Sequence, residues 1–330
     1  MPRLILAFSL LALTVIDLSY GSVSIPPGEV LRALFGGSTT DPVWKDIVMD
    51  FRLAKSLTCI LAGAALGVAG LQMQTLFRNP LAGPDVLGLT SGASLAVSLL
   101  ILRGSSLADL PGPWSVAVVA SIGCTAVFLV VLLFARRLRD PASLLIVGLM
   151  IGALASSIVS VLQFRSRSDD LQIYFIWTFG NVSSLNWPEI GVLAWILVAG
   201  LVLALTLSKP LNAWMLGDNY AQSLGIRLQR SRVLIILSAS LLTGGVTAFC
   251  GPIAFVGLAV PHLARLLTPT SDHRVMLPNV ALGGGILLLL CDILSQLPPG
   301  PEILPVNAIT ALFGAPVVIW VVIRSKMIRL

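Results

Sequence analysis

Apolar residues in this chain gather into runs near 18–22 residues long, separated by short polar stretches rich in Arg, Asp, Gly and Pro. A helix needs about 20 residues to cross the hydrocarbon of a bilayer. The runs are continuous rather than alternating, so they predict helices and argue against a barrel of strands. Ten spans are expected, near 4–20, 53–76, 86–102, 114–135, 142–163, 189–208, 232–250, 253–267, 275–296 and 306–323. The run at 253–267 is the weakest, being short and interrupted by Pro261 and His262. Small residues crowd the second run, where Gly63, Gly67 and Gly70 lie among alanines. The Gly63-x-x-x-Gly67 spacing, repeated at Gly148 and Gly152, lets helix backbones approach closely, inside the bundle or at a subunit interface.

A polar island at 209–232 interrupts this pattern. Within it Leu216, Tyr220 and Leu224 recur every four residues and share one helical face, while Asp218, Asn219, Gln222 and Ser223 fall on others. Gly217 and Gly225 bracket the piece as breakers. A two-turn helix is marginal alone in water, so its apolar stripe is expected to pack on something. Two readings follow: a solvated connector lying on the protein's own membrane helices, or an element that docks a cytosolic partner.

Composition places the chain in its class. It is 56% hydrophobic and only 11% charged, against about 25% charged in soluble domains. The fold class is therefore all-α and polytopic, embedded in membrane lipid. The net charge of +6 carries no nucleic-acid signal, because no basic patch with interleaved aromatics is present. Lys and Arg placement sets orientation instead. With the N-terminus inside, Arg3, Arg78, Arg136, Arg137, Arg139, Lys209, Arg227, Arg230, Arg232, Arg265, Arg274, Arg324, Lys326 and Arg329 fall on the cytoplasmic side. Arg32, Lys45, Arg52, Lys55, Arg103, Arg165 and Arg167 fall on the other. This bias favours both termini in the cytoplasm and an even number of spans. The start of the chain, Arg3 followed by an apolar run, reads as the first span rather than a signal peptide, because it lacks a convincing cleavage site. Two outer segments, 21–51 and 164–188, are long; Trp177 and Trp187 in the second suit an interfacial belt. The sequon Asn181-Val182-Ser183 reads as incidental. The whole of 1–330 is expected to be one transmembrane domain.

Candidate chemistry is sparse. There is no phosphate loop, so nucleotide hydrolysis by that route is not expected. His262 and His273 are too few for a histidine metal centre. Cys59, Cys124, Cys250 and Cys291 lie in apolar runs without metal-ligand spacing and read as small core residues. Asp17 and Asp292 lie in apolar runs near their outer ends; at mid-bilayer a carboxylate costs roughly 2.5–3.5 kcal/mol. A hydrogen-bonding role and a proton relay both remain open for them. No network of buried charge is expected, which argues against an ion-coupled carrier.

One stretch carries a resemblance. Residues 52–93, with Arg78-Asn79-Pro80-Leu81-Ala82, Leu87-Gly88 and Ser91-Gly92-Ala93, resemble the second and third helices of the iron-siderophore, heme and cobalamin importer permeases, the FecCD/BtuC-type subunits of type II ABC importers. Residues 251–265 and 307–316 carry two further matches, and the similarity extends over nearly the whole chain. The resemblance implies a BtuC-like permease fold of ten helices in the inner, cytoplasmic membrane of a bacterium. It implies a homodimer with the path at the dimer interface, two cytosolic ABC ATPase subunits, and an extracytoplasmic substrate-binding protein. No cofactor is expected on this chain; ATP and Mg would be used by the partner subunits.

The implied site residues follow the motifs. Coupling to the ATPase falls on Leu216, Gly217, Asp218, Tyr220, Ala221, Leu224 and Gly225, and the turn Arg78-Asn79-Pro80 belongs to the same side. Arg52 and Lys55 match basic positions that hold acidic residues of the binding protein, although lysine lacks arginine's bidentate fork. Residues 296–302 lack the further basic group the family tends to place there. At the cytoplasmic gate, Asp140-Pro141-Ala142-Ser143 largely lacks the hydroxyl pair of the cobalamin permease. Pro80 and Pro84 suit a fixed turn, Gly251-Pro252 suits a helix start, Pro261 should kink its span, and His262 reads as a structural donor. The cargo is expected to be an iron chelate, siderophore or heme, with cobalamin as the alternative.

Overall fold

In the computed structural model, residues 2–21, 23–102, 114–138, 140–297 and 304–327 are described. They are helical throughout, with no strand among them. Each of the ten expected spans falls on a helix: α1 (Pro2–Ser19), α4 (Leu53–Leu76), α5 (Leu89–Ile101), α6 (Ser115–Arg137), α7 (Pro141–Phe164), α9 (Trp187–Thr206), α12 (Leu228–Cys250), α13 (Val256–Leu267), α14 (His273–Ser295) and α15 (Val306–Met327). Six of the described helices are long and apolar enough to cross a membrane: Pro42–Leu76, α6, α7, α9, α12 and α14. Three apolar helices are shorter: Leu89–Ile101, Val256–Leu267 and Val306–Trp320.

α4 is the hub. It packs against α14, α12, α13 and α9, and 83% of its most apolar window is buried, against 28% for α6, α7 and α9. Its glycines explain the fit. A Cβ on Gly63 would lie 2.2 Å from the carbonyl oxygen of Gly284, and one on Gly70 would lie 1.8 Å from that of Gly257. Backbones therefore touch without intervening side chains. The second small-residue pair is also internal: a Cβ on Gly148 would meet Val86 O at 2.4 Å. Neither spacing needs a subunit interface to account for it. The peripheral helices leave large apolar side chains bare, among them Ile122, Leu133, Leu154 and Trp195. So much exposed apolar surface belongs in lipid, and the protein is a multi-pass membrane protein.

The two long segments 21–51 and 164–188 contain helices of their own. Residues 27–52 form α2 (Pro27–Leu34), α3 (Pro42–Asp46) and a π-helical stretch, Ile47–Arg52, which makes one helix of 35 residues from Pro42 to Leu76. Leu18, Ile25, Val30, Ala33 and Val48 form a small core that seats this segment on the end of α1. The segment 164–188 contains α8 (Ser168–Thr178). Gly251-Pro252 does not begin a helix. Gly251 and Phe255 have φ of 72° and 65°, and α13 starts only at Val256. Hydrogen bonds hold 250–255 in this irregular path: Asn181 N donates to Cys250 O (2.7 Å), and Ala254 N donates to Asn307 Oδ1 (3.0 Å). α13 continues through Pro261.

Candidate functional site

The polar island resolves into three pieces: α10 (Ser208–Met215), α11 (Asp218–Ser223) and the first turn of α12. Gly217, at φ 102°, makes the break between α10 and α11, and Gly225, at φ 79°, ends the second piece. Positive φ is strained for residues with a Cβ, which is why glycines stand there. Leu216, Tyr220 and Leu224 are 62%, 53% and 57% exposed. The stripe therefore does not lie on the protein's own membrane helices. Ala221 is the seat: it is fully buried and so turned away from any partner. Leu216, Gly217, Asp218, Asn219, Tyr220 and Ser223 border an open concavity of about 540 Å³.

The Arg78-Asn79-Pro80 turn is bound to this segment. Arg78, which has a left-handed φ of 46°, pairs with the Asp218 carboxylate and donates from Nε to Trp214 O (3.2 Å). Asn79 Oδ1 accepts from Leu81 N (2.9 Å) and shapes the turn. Pro80 O lies 2.9 Å from His262 Nε2, so His262 is a structural partner of the turn, as expected. Asn212 of α10 reaches α14: its Nδ2 donates to Asp272 Oδ1 (2.7 Å), and its Oδ1 accepts from His273 N (2.8 Å).

At the start of α7, Asp140 is the N-cap and Pro141 occupies the first turn. The Asp140 carboxylate accepts from Ser143 N (2.9 Å), Ser143 Oγ (2.9 Å) and Ala142 N (3.3 Å). These bonds, that from the Ser143 amide foremost, hold its carboxyl below the ordinary carboxylate range. The hydroxyl of Ser143 is thus committed to its own cap, and Ala142 is exposed beside it.

The opposite end holds what the sequence reading missed. Lys55 Nζ lies 2.6 Å from Asp292 Oδ2 and 3.9 Å from Asp17 Oδ1. Ser56 donates to the other Asp17 oxygen, and Gln296 Nε2 donates to Asp292 Oδ2 (2.8 Å). Three helices, α1, α4 and α14, thus share a buried charge cluster, where none was expected. No local spacing could reveal it, since each member comes from a different apolar run. Arg52 is drawn inward as well: it is 7% exposed and donates to the carbonyls of Leu18 (2.8 Å) and Val23. In this structure both basic residues are engaged within the chain. A cavity of about 320 Å³ beside the cluster is lined by Asp292, Ser295, Asn181 and Ser183 among others. The stretch 298–303, most of the segment noted for lacking a basic group, lies outside the described residues.

The chain is 36% identical to the hemin transport system permease protein HmuU of Yersinia pestis, over 98% of this chain and 97% of the relative. It is 36% identical to the vitamin B12 import system permease protein BtuC of Salmonella typhi, over 98% and 95%. A solved structure described as an inward-facing, metal-chelate type ABC transporter superposes with a TM-score of 0.84 at 28% identity, over 98% of both chains. A second, PsaBC from Streptococcus pneumoniae, shares the fold at a TM-score of 0.55 and 14% identity, over 88% of this chain and 94% of that one. The FecCD transport family matches residues 9–324, and the chain belongs to that family of membrane transport proteins.

Proposed function

We propose that the chain is the permease subunit of an ATP-driven importer in the cytoplasmic membrane of a bacterium. Its cargo is an iron chelate, siderophore or heme, with cobalamin as the alternative. The observation that carries this reading is the bare stripe of Leu216, Tyr220 and Leu224, held away from the membrane helices on a segment pinned by Arg78. Such a stripe fits the groove of a cytosolic ATPase subunit. In the full assembly two such chains pair, two ATPase subunits bind below and use ATP and Mg, and a substrate-binding protein docks outside. All ten expected spans cross the membrane and both termini are cytoplasmic, as the Lys and Arg bias suggests. Docking of the binding protein at Arg52 and Lys55 would exchange their present partners for its acidic residues. ATP binding and hydrolysis in those subunits would then move α10 and α11 and alternate access to the path. The relatives HmuU and BtuC support both cargo classes, while the commitment of Ser143 to its own cap weighs towards an iron chelate.

The test is uptake of labelled ferric siderophore, heme and cobalamin in cells lacking the chain and in complemented cells. Loss of one ligand, restored by the chain and dependent on ATP, is expected. Leu216→Glu or Leu224→Glu should reduce that uptake at least ten-fold while ATP hydrolysis continues; undiminished uptake would overturn the coupling role. A second reading, an ion-coupled carrier, is favoured by one observation, the Asp17–Lys55–Asp292 cluster. It requires uptake to persist without the ATPase subunits.

A further inference from the structure

The indole of Trp214, at the end of α10, is fully buried. Two guanidinium groups lie over its ring, that of Arg78 at 5.9 Å from the centroid and that of Arg232 at 5.5 Å. Its N–H has no hydrogen-bond partner among the described residues. The ring is therefore held by packing and by its two cations rather than by a directional bond. Cation–π attraction is stronger where little water competes, which holds for Arg232, 3% exposed, more than for Arg78, whose side chain is 44% exposed.

Each arginine also grips something else. Arg78 binds Asp218 of α11 and the Trp214 carbonyl. It keeps an unfavourable positive φ to do so. Arg232, 3% exposed, donates from Nη1 to Leu138 O (2.6 Å). One turn earlier, Gln229 Nε2 donates to Ala135 O (2.8 Å). α12 thus closes the last carbonyls of α6, and Asp140, which caps α7, lies two residues beyond Leu138. The contacts form a line from Asp218 through Arg78, Trp214 and Arg232 to Leu138, and Leu138 stands two residues before the cap of α7 in the chain.

We propose that Arg78, Trp214 and Arg232 are positioning residues that carry a displacement of α10 and α11 to the cytoplasmic start of α7. This deepens the coupling role proposed above and rests on it. The ring is a suitable joint, since cation–π attraction tolerates sliding across the face where a hydrogen bond would break. The same line gives a reason for a buried tryptophan at the end of a short helix.

The test uses the whole transporter with its ATPase subunits and needs no knowledge of the cargo. The four native cysteines are buried, so a spin label can be directed to Ser223→Cys in α11 or to Ala142→Cys in α7, both exposed positions. With ATP and vanadate, both labels should change mobility in the otherwise native protein. In Trp214→Leu and Arg232→Gln the Ser223 label should still respond, while the response at Ala142 falls at least five-fold. Trp214→Phe, which keeps a weaker aromatic face, and Arg232→Lys, which keeps the cation, should restore part of it; loss of folding alone would not give this order. A full response at Ala142 in Trp214→Leu would overturn the proposal. A silent Ser223 label in the native protein would remove the coupling role first, and this inference with it.

Discussion

Lys55 stands between two carboxylates with its side chain 11% exposed, while those of Asp17 and Asp292 are 0% and 4% exposed. Removing one member of a buried ion pair costs about 3–5 kcal/mol, because the partner charge stays buried without compensation. Lys55→Met should therefore lower the thermal midpoint of the purified protein in detergent by several degrees. Asp17→Asn should cost much less, since the closer contact to Asp292 survives and a surplus negative charge leaves. Equal midpoints for Lys55→Met and the parent would mean that water reaches the cluster. The glycines give a second contrast. At Gly70 a methyl group would strike the backbone of Gly257, and overpacking of this kind costs about 1–3 kcal/mol or more. At Gly191, in α9, a Cβ would meet nothing within 4 Å. Gly70→Ala should lower the thermal midpoint, whereas Gly191→Ala should hold or raise it by helix propensity, worth up to about 1 kcal/mol. The sequence announced close packing at Gly63 and Gly67, but not which backbone each would meet. That depends on contacts between runs far apart in the chain.

Among the elements, α11 was legible because two glycines and a four-residue apolar period are local signals. α8 was not: Leu171, Ile173, Tyr174, Phe175 and Ile176 spread apolar character around the helix and offer no single stripe to read. α2 and α3 were hidden by prolines that read as breakers but stand in first turns, where proline is welcome. The cap of α7 makes a prediction at this scale. A carboxylate whose folded value is depressed stabilises above its ordinary value of 3.8, and that contribution is lost only as pH falls through the still lower folded value. Between pH 5 and 8 the Asp140 cap should be constant. Asp140→Ala should make the amides of the first turn of α7 exchange several-fold faster in that whole window, after correction for intrinsic rates, while Asp140→Asn keeps an acceptor and most of the protection. Protection unchanged in Asp140→Ala would show that Pro141 alone sets the helix start.

For the molecule as a whole, the two ends differ in kind. One carries α10, α11 and a cluster of arginines; the other carries α2, α3, α8 and the cavity beside Asp292. With the Arg-rich end cytoplasmic, an impermeant maleimide added to intact cells should label Ser183→Cys and leave Ser223→Cys untouched until the membrane is opened. The reverse labelling would invert the orientation and remove α11 from the reach of any cytosolic ATPase.

By itself the sequence determined the helical class, the residence in a membrane, the family and the place of the Leu216, Tyr220 and Leu224 stripe, though not that the stripe is bare. Each of these rests on signals contained within one run of residues: length, continuity of apolar character, local period, and motif. Only the tertiary structure decided that Lys55 joins Asp17 to Asp292, that Arg52 turns inward, that Asn307 holds the irregular stretch before α13, and that Arg78 and Arg232 each lie over the Trp214 ring. Those contacts unite residues from separate runs. In a bundle of uniformly apolar helices, facing partners are chosen by backbone fit at small residues and by the few polar groups that must find one another, and neither choice leaves a local trace.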